Sequence, residues 1–241
     1  MMEKLVIICC LHGNEIYGLE VCKDQSLFPF ILANEKALKE NKRFIDSDLN
    51  RSFPGKADGN YEERRAFELT KKLKDYEFII DLHSSSNKCP LFGIITKPNL
   101  EKIEFAKKLG LKKLVIMSDN YASGKALIDF CRCGISLEIG PHEDKDIIKE
   151  VSEKIENFIS GKSKDEIEIF EVFEVIKQEH KNIKINNFEF VNKGQILSED
   201  DSGIQTSKED FIPVLVGEKA YNQVLCLAAR KVNLKDTEFY S

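Results

Sequence analysis

The chain has 241 residues, of which 42% are hydrophobic and 32% charged, with a net charge of −5; this is enough for a buried core and fits an ordinary globular protein. The acidic balance argues against a broad nucleic-acid surface, which needs a basic excess on some face, but leaves room for a local basic pocket. No apolar run reaches the ~18 residues of a membrane span, and the start, Met1 to Lys4 leading directly into a strand, lacks the zones of a signal peptide, so a cytoplasmic protein is expected.

The run Leu5 to Leu11 is apolar, rich in β-branched residues and of strand length, and it breaks off into His12-Gly13-Asn14-Glu15. That is the pattern of a buried strand delivering polar groups at its carboxyl end, where open α/β sheets place their chemistry. A His and a Glu three apart also occur by chance in many surface loops, so the pair alone decides nothing. Ile16 to Cys22 carries apolar positions at helical spacing, and Phe28 to Ala33 reads as a second strand. Strand, helix, strand in this order predicts a mostly parallel sheet.

Residues 41–60 are polar and aperiodic, yet Phe44, Ile45, Leu49 and Phe53 anchor them. A loop this long inside a domain is usually functional or disordered, and interleaved anchors favour order. The bland reading of Arg43 and Arg51 is solvated surface charge. That of Asp46 and Asp48 is local turn chemistry.

Tyr61 to Lys74 follows as a helix. Tyr76 to His83 is again an apolar strand with a histidine at its end, and Ser84 to Asn87 continues it in polar residues. Of four histidines in the chain, two therefore sit at strand ends; with Glu15 they make a three-ligand set suited to zinc, with a fourth position open to water. Asp81, two residues earlier on the same strand face as His83, reads either as a partner of that imidazole or as a buried acid bonded to backbone.

Further strands are expected at Leu91 to Thr96 and Leu111 to Met117, with a helix at Leu100 to Leu109 between them. The stretch from Ile135 to Ile139 is apolar except for Ser136 and Glu138, and a buried carboxylate there needs a specific partner or a site to face. The alternative is an edge position in solvent. His142 has no assigned role. A helix at Asp146 to Ile159 precedes a candidate linker at Gly161 to Glu166. Beyond it short β-type runs dominate: Ile167 to Ile176, Ile183 to Asn192, Ile212 to Val216 and Val224 to Val232. Seven cysteines without a C-x-x-C suit a reducing compartment rather than a disulfide framework. Cys131-Arg132-Cys133 has no second close pair to complete a metal site.

In this order and spacing, His12-Gly13-Asn14-Glu15, Arg43-x-Ile45-Asp46-x-Asp48-Leu49-Asn50-Arg51, Asp81-Leu82-His83 and Glu138-x-Gly140-Pro141 resemble the aspartoacylase and succinylglutamate desuccinylase family, a branch of the zinc carboxypeptidase superfamily. Glu218 to Tyr221 is similar to the family's C-terminal segment. The resemblance implies an α/β fold, a carboxypeptidase-like, mostly parallel mixed sheet flanked by helices. It divides the chain into a catalytic domain at 1–162 and a small β-rich domain at 163–241 that contributes to the substrate pocket.

It also implies one zinc per chain, held by His12, Glu15 and His83, with Glu138 as general base and Arg43 over the carbonyl oxygen. Asn50, Arg51 and Tyr221 would bind the free carboxylate of a small anionic N-acyl amino acid, of N-acetylaspartate or N-succinylglutamate type. Tyr121 and Lys125 lie in a stretch similar to the loop that presents an arginine to the substrate's side-chain carboxylate. A lysine there offers a point charge without the bidentate fork, so a shift in selectivity is expected. Leu225 stands where aspartoacylase has a second basic residue. A zinc exopeptidase would share the metal set and the base, and a metal-binding module without catalysis is the remaining alternative. No nucleic-acid or membrane partner is expected, and homo-oligomerisation is left open.

Overall fold

The computed structural model describes residues 4–24, 29–118, 124–141, 145–161, 166–221 and 223–233. Strand β1 (Leu5–Cys9) is buried at every position, as an unbroken apolar run requires of a strand covered on both faces. Its side chains alternate, Leu5, Ile7 and Cys9 joining one apolar cluster and Val6 and Ile8 the other, which is the period of two that the strand imposes.

Beside β1 lie β2 (Phe30–Leu32) and β3 (Phe78–Ser84), and beyond β3 lies β6 (Cys133–Gly140); all four run parallel. With β4 (Cys89–Ile95), β5 (Lys113–Ile116), β7 (Glu168–Lys177), β11 (Ile212–Val214) and β12 (Val224–Val232) they form a nine-stranded sheet of order β11-β12-β7-β5-β4-β6-β3-β1-β2. Neighbours are antiparallel only at β4/β6, β7/β12 and β11/β12. The sheet is thus mixed and mostly parallel.

Helices α1 (Tyr17–Asp24), α4 (Leu100–Lys108) and α5 (Lys145–Ser160) cover one face through Tyr17, Val21, Phe105, Val151 and Phe158. The other face is closed by α3 (Tyr61–Leu73), which buries Ala66, Leu69 and Leu73 and starts from a capping box made by Asn60 and Glu63. A short helix, α2 (Glu35–Lys39), capped by Asn34, was not expected from the sequence. Among the described residues no helix is long and apolar enough to cross a membrane.

The large sheet runs across position 162, because β7 pairs with β5 and carries β12 and β11 with it. The expected strand at Ile183 to Asn192 does not form. Only β8 (Asn182–Ile183) is extended, Phe188 turns at a φ of +61°, and Asn186 and Asn187 spend their side chains on Glu189, the Lys88 carbonyl and the Val216 amide. Asparagine competes with the ladder in this way. The small sheet is completed instead by the hairpin of β9 (Ile196–Asp200) and β10 (Gly203–Thr206), in the order β10-β9-β8.

The functional consequence lies in β1, β3 and β6. They are adjacent and parallel, so their carboxyl ends share one edge of the sheet. His12 and Glu15 follow β1, His83 lies at the end of β3, and Glu138 is paired in register with His83 across β3 and β6.

Candidate active site

Leaving β1, Cys10 adopts a φ of +53°, and this left-handed residue turns the chain out of the sheet. Gly13 then packs so tightly against α2 that a Cβ there would lie 2.1 Å from the Ala37 carbonyl carbon. Its N–H donates to the Arg43 carbonyl at 3.2 Å. The glycine of the H-G-N-E motif is thus a requirement of close backbone packing, and it holds His12 and Glu15 in place, each 3% exposed.

The Glu15 carboxylate is shared between the two imidazoles, with Oε1 2.7 Å from His12 Nδ1 and Oε2 3.1 Å from His83 Nδ1. One ligand atom from each of His12, Glu15 and His83 lies within 4.8 Å of the other two. On its far side each imidazole meets another carboxylate: His12 Nε2 lies 3.1 Å from Asp48 Oδ1, and His83 Nε2 lies 2.7 Å from Asp81 Oδ2. An Nε2–H donated outward leaves an Nδ1 lone pair facing inward, the state a metal ligand needs. Ser136 donates to the same Asp81 oxygen at 3.3 Å, and the Tyr17 hydroxyl donates to the His83 carbonyl at 2.7 Å.

Charge at this point is strongly coupled. Burial alone would push Glu15 up, but the two imidazoles outweigh it and hold the carboxyl well below its usual range. Burial would lower both histidines, yet Glu15 with Asp48 around His12, and Asp81 with Glu15 around His83, raise them instead. With neutral imidazoles, three carboxylates against the one guanidinium of Arg43 leave two negative charges, which a divalent cation balances. Two imidazole nitrogens and a carboxylate are donors that zinc favours.

Around this cluster closes a cavity of about 30 Å³, lined by Arg43, Asn50, Glu138, Glu218 and Tyr221 as well as the three candidate ligands; that is room for about two waters. Glu138 is half-buried and has no hydrogen-bond partner among the described residues. Burial pushes its carboxyl up to about 7, against the pull of His83 and with a further push from Glu15 and Glu218. Arg43 points its Nη1 at Glu15 from 3.4 Å and clasps Asp48 Oδ2 through Nε and Nη2 at 3.2 and 3.0 Å.

Asn50 spends its Oδ1 on the Leu127 amide at 2.9 Å, which leaves its amide group for the cavity. Arg51 donates to the Tyr221 hydroxyl at 3.5 Å, so two of the side chains expected at a carboxylate meet although 170 residues separate them.

Lys125 is placed differently. It is exposed and lines, with Arg51 and Lys56, a second cavity of about 290 Å³. Tyr121 and His142 lie outside the described residues. Leu225 is fully buried among Val191, Phe211 and Ile185 and faces the core of the C-terminal part instead of the cavity.

Two residues matter here that sequence reasoning did not assign. Asp48, whose expected turn role is real since its Oδ1 caps the Asn50 amide at 2.8 Å, also bridges His12 and Arg43. Its position within the D-L-N-R run was the available signal. Glu218 accepts from the Ser86 amide at 2.7 Å and the Ser86 hydroxyl at 2.6 Å, tying the segment that carries Tyr221 to the chain just after His83. Nothing in its local sequence marks that distant partner.

Residues 1–161 match the family described as the succinylglutamate desuccinylase/aspartoacylase catalytic domain. A probable aspartoacylase of Trichodesmium erythraeum (strain IMS101) is 23% identical over a gapped alignment 286 positions long, covering 95% of this chain and 98% of that protein. An N-acyl-aromatic-L-amino acid amidohydrolase (carboxylate-forming) B of Danio rerio is 28% identical over 163 residues, 54% of this chain and 52% of that one; the match spans about half of its length. Among solved structures, murine aminoacylase 3 superposes with a TM-score of 0.79 at 20% identity, covering 96% of each chain; at this identity the likeness is one of fold.

Because Asp48 orients a candidate ligand and holds Arg43, Asp48→Ala should weaken zinc binding by on the order of 10- to 100-fold, the usual effect of removing an imidazole's outer partner. Competition against a chromophoric chelator measures this, and an unchanged affinity would contradict the role given to the Asp48–His12 contact.

Proposed function

Because this chain belongs to the succinylglutamate desuccinylase and aspartoacylase family, whose catalytic domain it matches over residues 1–161, we propose that it is a zinc-dependent amide hydrolase. It removes the acyl group from a small anionic N-acyl amino acid, releasing a carboxylate and the free amino acid. The observation that carries this reading is the meeting of His12, Glu15 and His83 within 4.8 Å, with Glu138, whose carboxylate has no partner among the described residues, in register beside His83.

His12, Glu15 and His83 would hold the zinc, which when bound would supply Lewis acidity for the amide carbonyl and for a water whose pKa it would bring toward ~7. Glu138 takes the proton from the attacking water and hands it to the departing amine nitrogen. Its raised pKa suits both transfers near neutral pH. Arg43 stabilises the negative charge that grows on the carbonyl oxygen, and its clasp on Asp48 keeps it oriented before substrate arrives. Asn50, Arg51 and Tyr221 bind the free α-carboxylate, for which a guanidinium fork is well shaped. Lys125, with Arg51 and Lys56 on the neighbouring cavity, is the candidate for contacting a further anionic group on the substrate.

A panel of N-acetyl, N-succinyl and N-formyl amino acids, with C-terminally unblocked peptides beside them, tests the assignment. Hydrolysis of an N-acyl amino acid is expected. Cleavage confined to the peptides would favour an exopeptidase, and no hydrolysis by zinc-loaded protein would favour a binding module.

Glu138→Gln should keep the fold and its zinc while losing at least about 10²-fold in kcat; a fully active Gln variant would contradict the mechanism. The base must be ionised to act, so kcat/KM should rise with pH. Its acid limb is expected between the ordinary 4.5 and about 7, since a bound cation lowers what burial raises. Arg51→Ala should raise KM on the order of 10-fold or more with a smaller change in kcat, as loss of a charged hydrogen bond to substrate does. An unaltered KM in steady-state assays would remove Arg51 from the carboxylate site.

A further inference from the structure

Glu62, in the first turn of α3, is completely buried, yet it makes no ion pair among the described residues. Its carboxylate instead accepts four N–H donors. Oε1 takes the Ile45 amide at 2.8 Å and Asn34 Nδ2 at 3.2 Å, while Oε2 takes the Asp46 amide at 2.9 Å and the Ser47 amide at 3.2 Å.

Three consecutive backbone amides aimed at one acid form the kind of concave nest that elsewhere holds a bound anion. Here the anion belongs to the protein. Burying a carboxylate is unfavourable unless its hydrogen bonds are made, and an apolar side chain at this point would leave three loop amides without acceptors.

The gripped backbone lies between functional side chains. Arg43 precedes it by two residues, and Asp48, Asn50 and Arg51 follow it. The loop's other ties to α3 lie nearer the surface: Tyr61 N to Asp46 Oδ2 at 3.0 Å, and Asn60 Nδ2 to Ser47 Oγ at 3.1 Å. Those contacts dock the loop, whereas only Glu62 fixes the direction of its three amides.

We infer that Glu62 is a positioning residue for the hydrolysis: by fixing the backbone of residues 45–47 it places the Arg43 guanidinium. It touches none of the candidate metal ligands and does not line the cavity. The inference rests on the preceding assignment of Arg43 to the carbonyl oxygen, and the test separates the two.

Glu62→Gln, Arg43→Ala and the double variant are prepared in zinc-loaded full-length protein and assayed on the N-acyl amino acid hydrolysed best. Arg43→Ala should lose about 10²-fold or more in kcat, and Glu62→Gln on the order of 10-fold or more, because small misplacements of a catalytic group are expensive. In the Arg43→Ala background the Glu62 change should add less than about twofold, since the group it places is gone. Amide exchange should show lost protection at residues 45–47 while the interior of α3 and strands β1 and β3 keep theirs.

Multiplicative losses in the cycle, or loss of protection throughout the protein, would overturn the positioning role and leave Arg43 in place. An Arg43→Ala enzyme with undiminished kcat would overturn the Arg43 assignment and the Glu62 inference with it. Glu62→Asp, which keeps the acceptor and shortens its reach, is carried through the same cycle to cover a glutamine variant that does not fold.

Discussion

The carboxylate of Glu15 is the group to which the other parts of the site answer. Nearly all of its surface is removed from water, so its charge has to be met by donors within the protein. The groups that meet it come from separate segments: His12 from its own loop, the His83 imidazole and the Ser84 amide from the end of β3, and Arg43 from the loop before α3. None of the three segments can shift without leaving the acid short of a partner. A buried acid thereby converts a sheet edge and two loops into one rigid constellation.

Charge then propagates outward in alternation. Each imidazole beside Glu15 is backed by a further carboxylate, Asp48 or Asp81. Each of these is braced in turn, Asp48 by Arg43 and the Asn50 amide and Asp81 by Ser136. Glu138 stands outside the alternation, with no hydrogen-bond donor to its carboxylate among the described residues although it is set beside His83 by the β3/β6 register. Proton transfer requires a group whose two states are close in energy, whereas orientation requires one whose state is fixed. The division of roles proposed above follows this difference: Glu15, Asp48 and Asp81 have partners and Glu138 has none among the described residues.

Much of the strand arrangement is legible in the sequence, and the reason is local. Strand β1 declares itself by an apolar run followed by H-G-N-E, and β3 repeats the device with His83, so adjacency of two parallel strands brings the candidate ligands together without further information. What sequence could not show depends on distant partners. Asp48 looks like turn chemistry because its bond to the Asn50 amide is local, whereas the contact of the same Oδ1 with His12 spans 36 residues. Glu218 matters through Ser86, and Leu225 faces the core because the pleat of β12, not its distance from Tyr221, decides its side. The stretch at 183–192 has the composition of a strand, yet its asparagines bond elsewhere and Phe188 takes a left-handed turn. The hairpin of β9 and β10 fills the place instead, and β7 extends the large sheet beyond the point where the composition changes.

Glu62 and Glu138 show how far environment can separate two identical side chains in one fold. Glu62 is enclosed by four N–H donors, three from consecutive amides of a single loop. Glu138 has no such shell among the described residues, and burial pushes its carboxyl up to about 7. The ordering of the arginine-bearing loop, as inferred above, depends on the first environment and the proposed proton transfer on the second; what separates the two is the number of donors facing the carboxyl group.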